Sequence, residues 1–153
     1  MIRKFFKHLK LVIAHKYYVC VECFKVGLYW QGITHDLSKF SVVEFSESVR
    51  YFTGHGSPID EAKKDKGYSD AWMHHKGRNK HHWQYWVDGR DGKIVPLEMP
   101  DKYIKEMICD VKGASRAYLK DKYTDDKPLQ YLKDNIGYWV VTDRVRKRLF
   151  ELI

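Results

Sequence analysis

The chain has 153 residues, 44% hydrophobic and 15% aromatic, with 28 Lys and Arg against 20 Asp and Glu for a formal net charge of +8. That length suits one domain spanning residues 1–153, and the apolar content excludes an intrinsically disordered chain. The charge favours anionic partners such as nucleotides, nucleic acid or acidic headgroups, and is equally that of a well-solvated surface.

The remaining composition narrows the setting. Cys20, Cys23 and Cys109 make no disulfide framework, which points to a reducing compartment. Cys20 and Cys23 have C-x-x-C spacing but lie inside a helical pattern with no second pair, so they read as packing residues. The basic, apolar start is interrupted by Lys7, His8 and Lys10 before any signal-like run can form, and no stretch is apolar enough to span a bilayer. Cytoplasmic residence is the expectation.

Residues 2–29 place Phe5, Leu9, Val12, Ile13, Val19 and Val26 at helical spacing, predicting one long helix that loosens at Gly27. His15, Tyr18 and Glu22 share a face, so His15 either points inward or bonds Glu22. Ser41 and Glu44 form a capping-box pattern that starts a helix running through Phe52. Residues 53–60 hold Gly54, Gly56 and Pro58 and read as a loop with a solvated His55, followed by a single helix over 61–76.

Gly77 and Asn79 then turn the chain. Trp83, Tyr85 and Trp86 fit a core better than a stacking surface, and residues 85–96 contain a small hairpin or extended loop. Pro100 opens a helix with Tyr103, Met107 and Ala114 on its buried side. Asp110 falls on that stripe and needs a cation, either a metal or a salt bridge with Arg116. Residues 124–128 form a polar turn, and 138–153 form a final helix with a basic face. The class is all-α, a compact helical bundle.

Chemistry concentrates at His35-Asp36, which sets a nitrogen and an oxygen metal ligand side by side, with Lys39 about one turn on. His15 lies upstream, while His74-His75, His81-His82 and Asp110 lie downstream. A turn at residues 77–79 can bring imidazoles from both sides to one ion.

The ordered set resembles the HD-domain superfamily of metal-dependent phosphohydrolases. More closely, it is similar to a small bacterial and phage family marked by HDLSKF, HHxxxNxHHW and EMxxD, here residues 35–40, 74–83 and 106–110. The resemblance implies an HD-like fold in which His15, His35, Asp36 and Asp110 surround one metal. It extends to a second ion at His75, His81 and His82, with Asp36 as the bridge and Lys39 near the substrate phosphate. His75 is preferred over His74 by its place in that pattern. No GYP signature follows the paired histidines, so a cyclic dinucleotide is not expected.

The expected activity is phosphohydrolysis of a nucleotide or other phosphoester by a metal-activated water, with one or two ions of Mn, Fe, Co, Ni or Zn. Asp36 and Lys39 are the catalytic candidates, with Lys39, Arg78 and Asn79 on the substrate side. Two other readings stand beside it: an HD-type di-iron oxygenase, and a basic protein that binds nucleic acid or a partner through a structural metal site.

Overall fold

The computed structural model describes residues 2–153. Among them, eight α-helices run α1 (Ile2–Lys25), α2 (Tyr29–Thr34), α3 (Val42–Tyr51), α4 (Pro58–Lys66), α5 (Asp70–Lys76), α6 (Asp101–Leu119), α7 (Lys127–Asn135) and α8 (Asp143–Leu152). Strands β1 (Val87–Arg90) and β2 (Lys93–Pro96) make an antiparallel hairpin that pairs Val87 with Pro96 and Arg90 with Lys93. Asp91 and Gly92 both have positive φ, the requirement of a two-residue hairpin turn. The fold is mostly helical and compact, as the periodicity predicts.

The spine is the crossing of α1 and α6. On α1 the buried positions His8, Val12, His15, Val19, Glu22 and Cys23 repeat at threes and fours, so the inward seam mixes apolar packing with ionisable groups. Gly113 makes the close crossing possible: a Cβ there would lie 2.4 Å from Val19 Cγ2 and 2.7 Å from the Val19 amide nitrogen. His15 precedes Val19 by four residues and Asp110 precedes Gly113 by three, so each stands about one turn from the crossing. α2 closes on α1 in the same manner, with Gly32 against Cys23. The three cysteines are free, and Cys23 and Cys109 pack beside Val19. A separate apolar cluster, including Met99, Ile104, Leu132, Val145 and Leu149, joins α6, α7 and α8 at the other end.

Several boundaries differ from expectation. The long first helix ends at Lys25, because Gly27 turns at φ 75°. Pro58 starts a helix rather than ending a loop, and the expected 61–76 helix is two, separated at Gly67 with φ 80°. The last helix begins only at Asp143, and α7 occupies a stretch the sequence pattern left unassigned. Ser41 does cap α3 by accepting from the Glu44 amide at 3.3 Å, but the Glu44 carboxylate turns elsewhere.

α5 owes its position to Glu47 of α3. That carboxylate accepts from Ser69 Oγ (2.5 Å) and from the amides of Ala71 (2.7 Å) and Asp70 (3.2 Å), with Lys66 Nζ at 2.5 Å. It thereby satisfies donors that the start of a helix leaves free. Partial burial works against the charge, but Lys66, Ser69 and the amides outweigh it and bring the Glu47 carboxyl down to about 2.

Two predictions concern stability. Ala normally stabilises a helix over Gly by about 1 kcal/mol, yet Gly113→Ala is expected to destabilise by about 1–3 kcal/mol through overpacking against Val19, read by chemical denaturation. The depressed Glu47 carboxyl contributes stability that is complete above its ordinary value of 4.5 and is lost as pH falls through about 2. Melting curves of wild type and Glu47→Gln should therefore differ at neutral pH by about 1–2 kcal/mol and converge in strong acid.

Candidate metal centre

The centre starts from an unusual backbone. Asp36 follows α2 with φ 53° and ψ 28°, in the left-handed region. That conformation costs an ordinary L-residue about 1–2 kcal/mol and is tolerated best by Asn and Asp after Gly. The reversal leads into a 3-10 turn over Leu37–Phe40 and leaves adjacent residues both inward, His35 and Asp36 each being 2% exposed. From α1, Lys16 Nζ donates to the carbonyls of Ile33 (2.6 Å) and His35 (3.0 Å), tying the end of α2 to the spine.

Asp36 stands between two groups of ligand atoms. Its Oδ2 lies 3.3 Å from His15 Nε2, 3.4 Å from His35 Nε2 and 2.6 Å from Lys39 Nζ. Its Oδ1 lies 3.3 Å from His75 Nε2 and 3.4 Å from His81 Nε2. Asp110 completes the first side, 3.3 Å from His15 and 3.4 Å from His35. One set is therefore His15, His35, Asp36 and Asp110, the other Asp36, His75, His81 and His82, with ligand atoms within 4.8 Å of one another in each. All seven residues expected to hold metal come together.

Two further carboxylates aim the rings. Glu106 Oε1 lies 3.1 Å from His35 Nδ1 and 3.3 Å from His81 Nδ1, while the Glu44 oxygens lie 2.8 Å from His75 Nδ1 and 2.6 Å from His74 Nδ1. A carboxylate only accepts, so the Nδ1–H donates and each Nε2 presents its lone pair to the centre. There it meets carboxylate oxygen, a repulsive arrangement unless a cation or proton lies between. Four buried atoms here, His35 Nε2, Asp36 Oδ1, His81 Nε2 and His82 Nε2, have no hydrogen-bond partner. Each orphan would cost about 1–3 kcal/mol. These residues can hold a metal ion; one in each set would give all four atoms a partner.

The electrostatics agree. Burial resists the charge on Asp36, but His35, Lys39 and His75 hold its carboxyl well below the usual range; for Asp110, His35, His15 and His81 do the same. Burial, and then neighbouring His81 and His75, pushes His82 down, while burial and Lys39 lower His15, so both rings are neutral ligands at pH 7. Burial also opposes a charge on His35, but Asp36, Asp110 and Glu106 overcome it and raise its pKa well above the ordinary value. A proton and a metal ion thus compete for one lone pair on His35.

His75 is the inward member of its pair, whereas His74 is half-buried on Glu44. Asn79 is taken up in support, donating to Ser38 Oγ (2.8 Å) and the His75 carbonyl (2.9 Å) rather than facing a substrate. Arg78 is exposed, with only a 3.4 Å bond to the His74 carbonyl, and lies outside the centre. The proposed bridge from Asp110 to Arg116 is not made, since Arg116 lies 3.3 Å from Glu22. Glu22 pairs with Lys25 and Arg116, leaving His15 to the centre. His55 is exposed, as expected.

Glu44 and Glu106 are the functional residues that sequence reasoning missed. Glu106 carried a signal, standing one turn before Asp110 on the same helix. Glu44 was hidden by its second role in a capping pattern. Beside the centre lies a cavity of about 160 Å³, with Lys39 and Asp110 on its metal side.

Removing the charge of an orienting carboxylate should loosen the metal without unfolding the chain. Glu106→Gln is expected to weaken metal affinity by about 10- to 100-fold, measured by competition with a chelating dye.

No curated protein and no solved structure matches this chain. One family model does, over residues 4–153, and its description is "Family of unknown function (DUF5662)". With nearly the whole sequence inside that match and the three segments of the centre within it, the chain belongs to the DUF5662 family.

Proposed function

We propose that the centre holds two divalent transition-metal ions bridged by Asp36 and that the protein hydrolyses a phosphoester. The observation that carries this reading is the division of Asp36, whose two oxygens face separate histidine sets. Charge supports it. Asp36, Asp110, Glu44 and Glu106 stand against Lys39 and the more outlying Lys16, so with neutral rings the four anions outnumber the two cations by two, a deficit that divalent ions offset. Mixed imidazole and carboxylate donors suit Mn, Fe, Co, Ni or Zn. The resemblance to HD-domain phosphohydrolases in the His35-Asp36 pair, with His15 before it and Asp110 after it, points the same way.

Divalent ions bound in such a site lower the pKa of water near neutrality and neutralise developing phosphoryl charge. The chain supplies the rest. Lys39 resists neutralisation despite burial, because Asp36 and Asp110 hold its proton. Its ammonium lines the cavity, where it can bind a phosphoryl oxygen and stabilise charge in the transition state. Glu44 and Glu106 keep the rings in one orientation throughout.

The test is Asp36→Asn, because Asn also tolerates the left-handed backbone while removing the bridging charge. Metal content per untagged chain and hydrolysis of a phosphomonoester panel are measured together. Wild type should carry stoichiometric metal and hydrolyse; the variant should remain folded and lose both. Hydrolysis retained in Asp36→Asn, or no metal bound by wild type after reconstitution, overturns the proposal. An oxygen-dependent product with bound iron would favour the di-iron oxygenase instead. Unfolding on chelation, with steeply salt-dependent nucleic-acid binding, would favour a structural metal.

A further inference from the structure

The cavity beside the centre has a chemical character of its own. Its volume of about 160 Å³ is small, since sites for drug-sized ligands enclose about 300–1,000 Å³. Away from the candidate ligands its walls combine apolar Leu11, Val12, Pro58, Ile59, Ala71 and Ala114 with the neutral hydroxyls of Ser48, Ser57 and Tyr118. Among the described residues, Lys39 is the only lysine or arginine along it. One phosphoryl group can therefore be matched with a side-chain cation beside the candidate ligands, and a second, farther along, would meet only neutral hydroxyls and apolar walls.

His8 stands on the lining, seven residues before His15 on α1 and so about 10 Å along the helix axis. It is 6% exposed, and its Nδ1 has no hydrogen-bond partner. Phe45 and Phe52 flank its ring at centroid distances of 5.2 and 5.5 Å. Burial, with Lys39 adding to it, lowers its pKa to about 4, so the ring is neutral at pH 7. A neutral buried imidazole with a free nitrogen suits an uncharged hydroxyl or carbonyl on a ligand.

We infer that this cavity selects a small phosphomonoester whose organic part is compact, uncharged and largely apolar, about the size of one six-membered ring, with His8 meeting a single polar group at its far end. The inference rests on the phosphohydrolase reading for the position of the phosphoryl group. It narrows the substrate away from nucleotides, whose base and ribose exceed the space, and from polyphosphates, which lack a second cation.

The experiment is calorimetric binding to metal-reconstituted protein of four probes that are not turned over: inorganic phosphate, phenylphosphonate, 4-hydroxyphenylphosphonate and the phosphonate analogue of AMP. Phenylphosphonate should bind about tenfold more tightly than either phosphate or the AMP analogue, roughly the effect of burying part of a ring. The 4-hydroxyl should tighten binding further in wild type and not in His8→Leu. Ala114→Leu, which fills the apolar wall, should keep its metal and bind phenylphosphonate no better than phosphate.

An AMP analogue that binds as tightly as phenylphosphonate overturns the inference and leaves phosphohydrolysis standing. No binding of phenylphosphonate, or no change in Ala114→Leu, overturns it as well. Binding in the expected order by a protein that hydrolyses no phosphomonoester supports the cavity assignment and overturns only the hydrolytic reading.

Discussion

A single buried carboxylate, that of Asp36, organises this protein. It is 2% exposed and surrounded by His15, His35, Lys39, His75 and His81, which come from α1, the α2 junction, α5 and the turn after α5. An ion in a low-dielectric interior costs several kcal/mol unless it is compensated. The elements around it can close together only because each brings a partner for that charge or for a neighbour's. The left-handed backbone at Asp36 is the local strain that aims it.

Compensation extends outward in layers. Glu44 and Glu106 each hold two imidazole Nδ1 atoms, and Asn79 fastens His75 further by donating to its backbone carbonyl and to Ser38 Oγ. Lone pairs and carboxylate oxygens are thereby driven into one small volume, and a cation resolves their repulsion. A metal ion held there would compete with protons, since both stabilise the same atoms. Packing is subordinate to this network on one side of the molecule and independent of it on the other. The glycine crossing of α1 and α6 sets the distance between His15 and Asp110, whereas the apolar cluster of α6, α7 and α8 forms a second core of the chain.

The candidate metal centre and the cavity beside it differ in chemical character. Candidate ligands line one part of the cavity, while the rest is largely aliphatic and carries the hydroxyls of Ser48, Ser57 and Tyr118 and one neutral imidazole, His8. A cavity of this kind would select a ligand by size and by the cost of leaving polar groups unpaired, more than by attraction.

By itself the sequence determined the helical class and narrowed residues 85–96 to a hairpin or an extended loop, because these follow from apolar periodicity and turn residues; the seven candidate ligands came from the donor chemistry of His and Asp together with the resemblance to the HD-domain superfamily. It fixed less well where helices stop: Gly27 and Gly67 end helices through positive φ, a choice that neighbours enforce and a local pattern only permits. Only the tertiary structure decided that His75 rather than His74 points inward, that Asn79 supports instead of facing a substrate, and that Glu44 and Glu106 aim the rings. The reason is physical. A side chain's type is local, but its partner is whichever charge the packed helices bring within about 3 Å, and that distance depends on contacts between residues far apart in the chain.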